Sequence, residues 1–301
     1  MSEEHRDSGH NDRFQADWLA LREPADHAAR STALEAELRE ALAGRAAPLH
    51  IVDLGAGTGS NAAHLAPRLP CAQHWRLVDH DAALLERARR RLGRIEGPPD
   101  SDPGIELEIE LDLRSLADLD AVLDRPCDLV TASALLDLVS RDWIESLAAA
   151  MAHRRCAVLM VLSVDGRWRF LGPDGRGVSD ADDDRMLQHY RDHQARDKGL
   201  GAALGGEAPG VLAAALERHG YIVRTAPSPW RLPAGLHDAL TGRLLAGWAE
   251  AIAIQVPEAR AEIDDWSARR ARALRDGRIG VEVGHVDLFA QPPASPGAAR
   301  R

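Results

Sequence analysis

Ile51–Asn61 reads IVDLGAGTGSN, and the fold is decided there. An apolar run ends in Asp53-Leu54, passes into Gly55-Ala56-Gly57-Thr58-Gly59 and gives way to a helical pattern. Glycines at that spacing let the backbone turn sharply and approach a ligand with no Cβ in the way. A dinucleotide fingerprint would carry its third glycine at position 60, which is Ser60. A P-loop needs Gly-Lys-Ser/Thr, and no lysine stands nearby. The pattern is instead GxGxG with an acidic residue just ahead of it.

Outward from this loop, strand patterns alternate with helical ones. Strands are predicted at Leu49–Leu54, Trp75–Asp79, Ile105–Leu111, Asp128–Ala132 and Ala157–Val164. Helices are predicted near Asn61–Leu69, Asp81–Leu92, Leu116–Leu123 and Asp142–His153. Such alternation predicts βαβ units with right-handed crossovers and a parallel sheet covered on both faces. Beyond Val164 the rhythm changes. Asp165-Gly166 predicts a hairpin turn between VLMVLSV and RWRF. A polar helix at Asp180–Arg196, the glycine-rich KGLGAALGG, a helix at Val211–His219 and a strand at Tyr221–Thr225 follow. Helices near Leu236–Ile254 and Pro257–Arg275 lead to a last alternating run, Ile279–Ala290. Ahead of the loop, Phe14–Leu42 is helical with an interruption at Pro24.

The carboxyl ends of the first three strands carry Asp53, Asp79 and Asp112. Ligands of open α/β sheets bind outside those ends. Asp79 closes the second strand twenty residues past Gly59. A carboxylate there accepts both hydroxyls of a ribose and implies a sugar without a 2′-phosphate. Each aspartate has a second reading as the N-cap of the next helix. For Asp81, ahead of AALLERARRRL, capping is the preferred reading; for Asp79 the ligand reading is.

These motifs resemble the class I S-adenosylmethionine-dependent methyltransferases. VDLGAGTGSN is similar to their first motif, LVDHD to their acidic second-strand motif and ELDL to their third-strand motif. The resemblance covers Leu49 to Val164 and is carried beyond it mainly by the final strands. It implies a Rossmann-like three-layer α/β/α sandwich with a seven-stranded, mostly parallel sheet whose last strand, Ile279–Ala290, is antiparallel, plus helical lid insertions. It implies that Gly55, Gly57 and Gly59 line the methionine and sugar, and that Asp79 holds the ribose hydroxyls. By the same resemblance Asp112 bonds the adenine amine and Asp53 orients the methionine amine. Ala56, Asn61, His80, Leu113 and Ser133 complete the implied cofactor set. A cationic sulfonium agrees with an acidic cleft and the absence of a phosphate-binding lysine.

Composition bounds the partners. Lys plus Arg is 37 and Asp plus Glu is 47, a net charge of −10, which argues against nucleic acid or an anionic membrane as the main partner. The longest mid-chain apolar stretch, Cys156–Leu162, is far too short to span a bilayer. MSEEHRDSGHNDR has no apolar core of a secretory signal. Three cysteines, Cys71, Cys127 and Cys156, form no CxxC pair, so neither a disulfide scaffold nor a cysteine zinc site is expected. A soluble cytoplasmic protein is the expectation. Of the 37 basic residues, Lys198 is the single lysine. Two readings stand for it: codon bias across the sequence, or a position where arginine does not fit.

Candidates for the chemistry lie after the third strand. Thr131–Val139 lacks the Asn/Asp-Pro-Pro-aromatic tetrad of the DNA amino-methyltransferases, and no paired-glutamate loop of the protein arginine methyltransferases is evident. No acidic pair suits the polyamine of an aminopropyl transferase. Methyl transfer needs alignment above all, and proximity supplies about 7–11 kcal/mol. A general base is required only if the acceptor loses a proton. His189 and His193 lie four apart on one helix face; metal binding, a solvated surface, and acceptor binding or general-base action all fit that spacing, and no metal is expected. Lys198 suits a mobile lid or a helix-end cation. Asp137 suits acceptor contact or capping. Trp18, Arg22 and Arg30 suit an N-terminal lid or a packed amphipathic helix, whereas Trp230 and His285 read as structural.

The expected organisation is a disordered segment at 1–13, one domain over 14–290 and a disordered tail at 291–301. Within the domain, 14–44 is a helical lid, 45–165 the cofactor-binding core, 166–210 an inserted lid and 211–290 the half that completes the sheet. The implied function is methyl transfer from S-adenosyl-L-methionine to a small-molecule acceptor by in-line displacement. The competing reading is a catalytically silent S-adenosylmethionine-binding regulatory protein.

Overall fold

β1 (Leu49–Leu54) turns Leu49 and Ile51 toward one cluster of buried side chains and Val52 and Leu54 toward another. Both sides are apolar because both are covered, as a parallel sheet requires. In a computed structural model, residues 4–93, 106–197 and 200–293 are described. α1 (Glu4–Ala29) and α2 (Thr32–Leu42) precede β1. After it come α3 (Ser60–Leu65), β2 (Gln73–Asp79), α4 (Ala82–Leu92), β3 (Leu107–Leu113), α5 (Leu119–Val122), β4 (Leu129–Ser133), α6 (Arg141–Arg154) and β5 (Ala157–Leu171). The chain then forms α7 (Ala181–Gln194), α8 (Ala208–Arg218), β6 (Ile222–Pro227), β7 (Trp230–Leu232), α9 (Asp238–Gln255), α10 (Arg260–Arg275) and β8 (Gly280–Gln291).

The sheet order is β3-β2-β1-β4-β5-β8-β6, with β7 added on β8. β1 to β5 pair in parallel, while β8 runs antiparallel to β5, β6 and β7. Helices cover both faces, giving the expected three-layer Rossmann-like sandwich with its antiparallel strand. Strand order reverses between β1 and β4, which fixes the ligand crevice at their carboxyl ends. Residues from α6 and α8 fill one face, and residues from α2, α3 and α4 fill the other. A third cluster is separate from both. It joins the outer ends of β5, β7 and β8 to α7, α9 and α10 through Trp168, Phe170, Trp230, Trp248 and Trp266.

Several details depart from the sequence reading. The sheet has eight strands rather than seven, because β8 is long enough to pair with β6 along one half and with β7 along the other. The predicted hairpin at Asp165-Gly166 is absent. β5 runs through it to Leu171, paired with β8 throughout, and the turn signal becomes an irregularity between Val164 and Trp168 with Gly166 at φ +73°. A bulge keeps the strand and bends it, which aims Trp168 and Phe170 into the third cluster. α1 starts at Glu4, ahead of the expected Phe14, and continues through Pro24. The break falls instead at Ser31, whose hydroxyl accepts from Leu34 N–H and caps α2. Ile105, Lys198 and the greater part of the 291–301 tail lie outside the described residues. Among the described residues no helix is long and apolar enough to cross a membrane.

Candidate active site

The loop after β1 keeps Gly55, Gly57 and Gly59 at φ +65°, +53° and +75°, a run of left-handed conformations that side-chain-bearing residues resist. At Gly59 a Cβ would also stand 2.9 Å from the Ala88 Cβ, so this glycine brings the loop against α4. Asp79 anchors the loop from below. Its Oδ2 accepts from Gly57 N–H at 2.8 Å and its Oδ1 from Asp81 N–H at 3.0 Å. Each carboxylate oxygen retains a further lone pair toward the cleft. Asp81 is the N-cap of α4, accepting from Ala83 and Leu84, so the capping reading holds there. The cleft beside the loop has a volume of about 490 Å³. Gly55, Ala56, Gly57, Asn61, Asp79, His80 and Ser133 all line it, with Leu19, Arg22 and Asp26 of α1 closing one side. The His80 side chain is 87% exposed at the rim.

Beneath the loop a buried polar chain leads away from Asp53. Asn61 Nδ2 donates to Asp53 Oδ1 at 2.7 Å and to Thr131 Oγ1 at 3.1 Å, while Arg30 Nη1 donates to Asn61 Oδ1 at 2.8 Å. Arg30 Nε donates onward to Glu35, which His64 also contacts. Burial alone would raise the Glu35 carboxyl, but the hydrogen bond from His64 and the charge of Arg30 outweigh it and hold it at about 2. Asp53 goes the other way. Burial pushes it up to about 7, with the bond from Asn61 and the charge of Arg30 opposing. Its Oδ2 is buried without a partner, and Asp53, like Gly59, lies behind the residues that line the cleft. A carboxylate oxygen in that state suits a bound cation or donor, as the methionine ammonium of the cofactor would be.

The third strand places its predicted residues off the cleft lining. Asp112 is buried and bonded by Arg76 Nε at 2.8 Å and by Arg114 Nε at 2.9 Å, and it does not line the cleft. Leu113 is 59% exposed and also lies off the lining. Strand register sets this outcome: β2 pairs with β3 so that Arg76 reaches Asp112 from the neighbouring strand. The cleft wall on that side is formed by Ser115 and Leu116, the latter fixed by a bond from Trp143 Nε1 to its carbonyl.

Past the cleft lie two adjoining cavities of about 510 and 280 Å³, both lined by Trp18, Asp137, Leu138, Tyr190, Gln194, Leu244 and Trp248. Leu138 lines the cleft as well, and the smaller cavity also shares Arg22 and Ala134 with it. Asp137 arrives on a short 3-10 turn, Leu136–Leu138, after β4. Burial and the Asp137 charge push the Tyr190 phenol up to about 12, so it stays protonated. His193 lines the larger cavity; His189, one turn earlier on α7, lines neither. Lys198 is outside the described residues. Among the described residues, no cluster of three or more His, Cys, Asp or Glu fit to hold a metal is found. Arg22 of α1 closes on the cleft, paired with Asp26 at 2.8 Å, whereas Arg30 turns inward to Glu35 and Asn61. Trp230 and His285 are buried together, ring centres 5.0 Å apart. Burial holds the His285 imidazole near 4, so it is neutral.

Tyr190, Gln194, Trp168 and Trp248 were not singled out from sequence as cavity residues. The available signal was compositional: seven tryptophans against three phenylalanines and two tyrosines. Five of those tryptophans (Trp18, Trp168, Trp230, Trp248 and Trp266) belong to or pack on the third cluster.

Residues 51–155 match the family model described as a methyltransferase domain. No significant match exists among curated proteins. Among solved structures, the chain is similar to a cyclopropane-fatty-acyl-phospholipid synthase-like protein from Lactobacillus casei, at 16% identity over 86% of this chain and 89% of that one, with a TM-score of 0.49. It is similar to an O-methyltransferase family protein from Burkholderia thailandensis, at 13% identity over 94% and 59% of the two chains, TM-score 0.46. A cyclopropane synthase from Mycobacterium tuberculosis matches at 14% identity over 84% and 83%, TM-score 0.42. At these identities and scores the likenesses say nothing of reaction or substrate. The family match, by contrast, falls on the stretch that builds the glycine loop, the Asp79 anchor and the crevice where strand order reverses. Residues 51–155 carry a methyltransferase domain, set on a Rossmann-like sheet.

Proposed function

We propose that the chain methylates a small-molecule acceptor held in the aromatic cavities beside the cofactor cleft. One observation carries this reading: the cavities meet the cleft at Ala134 and Leu138 and are walled by α1, α7 and α9. A net charge of −10 argues against nucleic acid as the acceptor. S-adenosylmethionine supplies an electrophilic methyl group on a sulfonium. The protein's part is to bind and align. Gly55 and Gly57, which line the cleft, let the backbone approach the methionine and sugar, and Gly59 holds the loop against α4. Asp79 accepts from the ribose hydroxyls, and Asp53, behind the lining, offers its unpartnered Oδ2 to the methionine ammonium. Asn61 orients Asp53; Ala56, His80 and Ser133 border the same cleft. Asp112, Leu113 and His189 have no place in this arrangement. Asp137 and His193, on the cavity wall, orient the acceptor or take its proton. Most of the acceleration then comes from orientation, worth about 7–11 kcal/mol.

Incubating the protein with methyl-labelled S-adenosylmethionine and a fractionated cell extract tests the reading. Label is expected in the low-mass fraction, and label confined to protein or nucleic acid would contradict a small-molecule acceptor.

A further inference from the structure

The smaller cavity contains two polar groups that the fold leaves unmatched. Trp168 Nε1 and Gln194 Oε1 are both buried and both lack a hydrogen-bond partner, and both residues line this cavity. One is a donor only and the other an acceptor. Buried polar groups of native proteins are nearly always paired, so two orphans of opposite kind in one cavity mark a place where a bound molecule completes the bonding. The two arginines around them are already committed. Arg22 is paired with Asp26, and Arg167 with Asp165. His285 donates from Nδ1 to the Val283 carbonyl and is neutral. The remaining walls mix aliphatic side chains and Asp137 with the rings of Trp18, Tyr190, Trp230 and Trp248, the last stacked on Trp168 at 4.6 Å and 10° between planes. Such walls favour a flat apolar ring.

A hydroxyl is the smallest substituent on a ring that accepts one hydrogen bond and donates another. We infer that the methyl acceptor is an aromatic or heteroaromatic ring bearing a hydroxyl, which accepts from Trp168 Nε1–H and donates to Gln194 Oε1. The hydroxyl is the anchor of the ring; the inference does not name the atom that receives the methyl group. It rests on the small-molecule reading above and narrows it to a chemical class.

Calorimetric titration of the full chain with 2-naphthol, 2-methoxynaphthalene and benzyltrimethylammonium, each with and without S-adenosylhomocysteine, tests it. 2-Naphthol should bind about tenfold more tightly than its methyl ether, the factor one lost buried hydrogen bond gives. Gln194→Leu should erase that difference, since only the naphthol donates to Gln194. Trp168→Phe should weaken both ligands by about the same factor, since both accept. If that variant does not fold, the wild-type series and Gln194→Leu decide alone. Equal binding of naphthol and ether, a preference that survives Gln194→Leu, or tighter binding of the ammonium ligand would overturn the inference. S-adenosylhomocysteine binding without naphthol binding overturns it while leaving the methyltransferase reading intact. Failure of S-adenosylhomocysteine to bind strikes that reading instead, and the naphthol series in its absence still judges the cavity.

Discussion

In the glycine-loop half, the cleft is lined by short runs at strand ends: Gly55–Thr58, Ser60–Asn61, Asp79–His80 and Ser133–Leu135. In the tryptophan half, the cavities draw Trp18 from α1, Asp137 from the turn after β4, Trp168 from β5, Tyr190 from α7, Trp230 from β7 and Trp248 from α9. The first half is shaped mainly by backbone, which needs glycines at fixed spacing. The second is built from side chains that only the tertiary fold brings together. A cofactor common to many enzymes suits the first arrangement and an individual acceptor suits the second.

The largest expected effect breaks the second half without touching the first. Trp266 is fully buried and donates from Nε1 to Asp183, which is also buried. Trp266→Ala should cost about 3–5 kcal/mol of stability. Denaturant unfolding by circular dichroism checks it, and a loss below about 1 kcal/mol would mean that the third cluster is not part of the cooperative core.

Asp79→Ala tests the first half. It removes charge-assisted bonds worth about 1.5–3 kcal/mol, so S-adenosylhomocysteine should bind at least tenfold more weakly by calorimetry. Unchanged affinity would contradict the ribose role. Loss of the Gly57 tether contributes to the same direction of change, and Asp79→Asn, which keeps one acceptor oxygen, should be intermediate.

Asp53 joins the comparison to pH. Its carboxyl is raised by burial from 3.8 to about 7, so its contribution to stability is complete below the lower value and is lost as pH rises through the upper one. Asp53→Asn should therefore gain stability relative to wild type as pH is raised across that window. Ligand binding should show the opposite pull, because pairing with an ammonium requires the ionised form. Affinity for S-adenosylhomocysteine should weaken below about pH 7, by up to about tenfold per unit. Binding there should release a proton, visible as a dependence of the calorimetric heat on the buffer. A flat profile would remove Asp53 from the ammonium site.

The smallest effect separates capping from ligand contact. Asp81→Ala removes the N-cap bonds to Ala83 and Leu84 and should cost about 1 kcal/mol of stability while changing cofactor affinity little. A large loss of affinity would show that the two aspartates after β2 divide their work differently.

The glycine loop, the Asp81 cap and the return of the last strand were legible because each is a local rule: positive φ, a side chain bonded two or three residues on, strict alternation. The pairing of Asp112 with Arg76 was not legible, because strand register fixes it and no local pattern carries register. Gly166 was misread because a turn signal and a bulge signal are the same glycine, and the partner of β5 is a strand more than a hundred residues away. Trp168 and Trp248 show no shared spacing in the chain; their stacking depends on how α9 packs against the extended end of β5. Sequence therefore exposed the glycine loop and its Asp79 anchor, and the cavities beyond them only as an excess of tryptophan.

A crystal structure of the full chain with S-adenosylhomocysteine bound tests the central claim most directly. The account predicts the ribose hydroxyls on Asp79, the amine beside Asp53 Oδ2 and the sulfur beside Ala134 and Leu138, facing the cavity lined by Trp18 and Tyr190. A sulfur directed away from that cavity, or a ligand seated among the tryptophans instead of at the glycine loop, would contradict it.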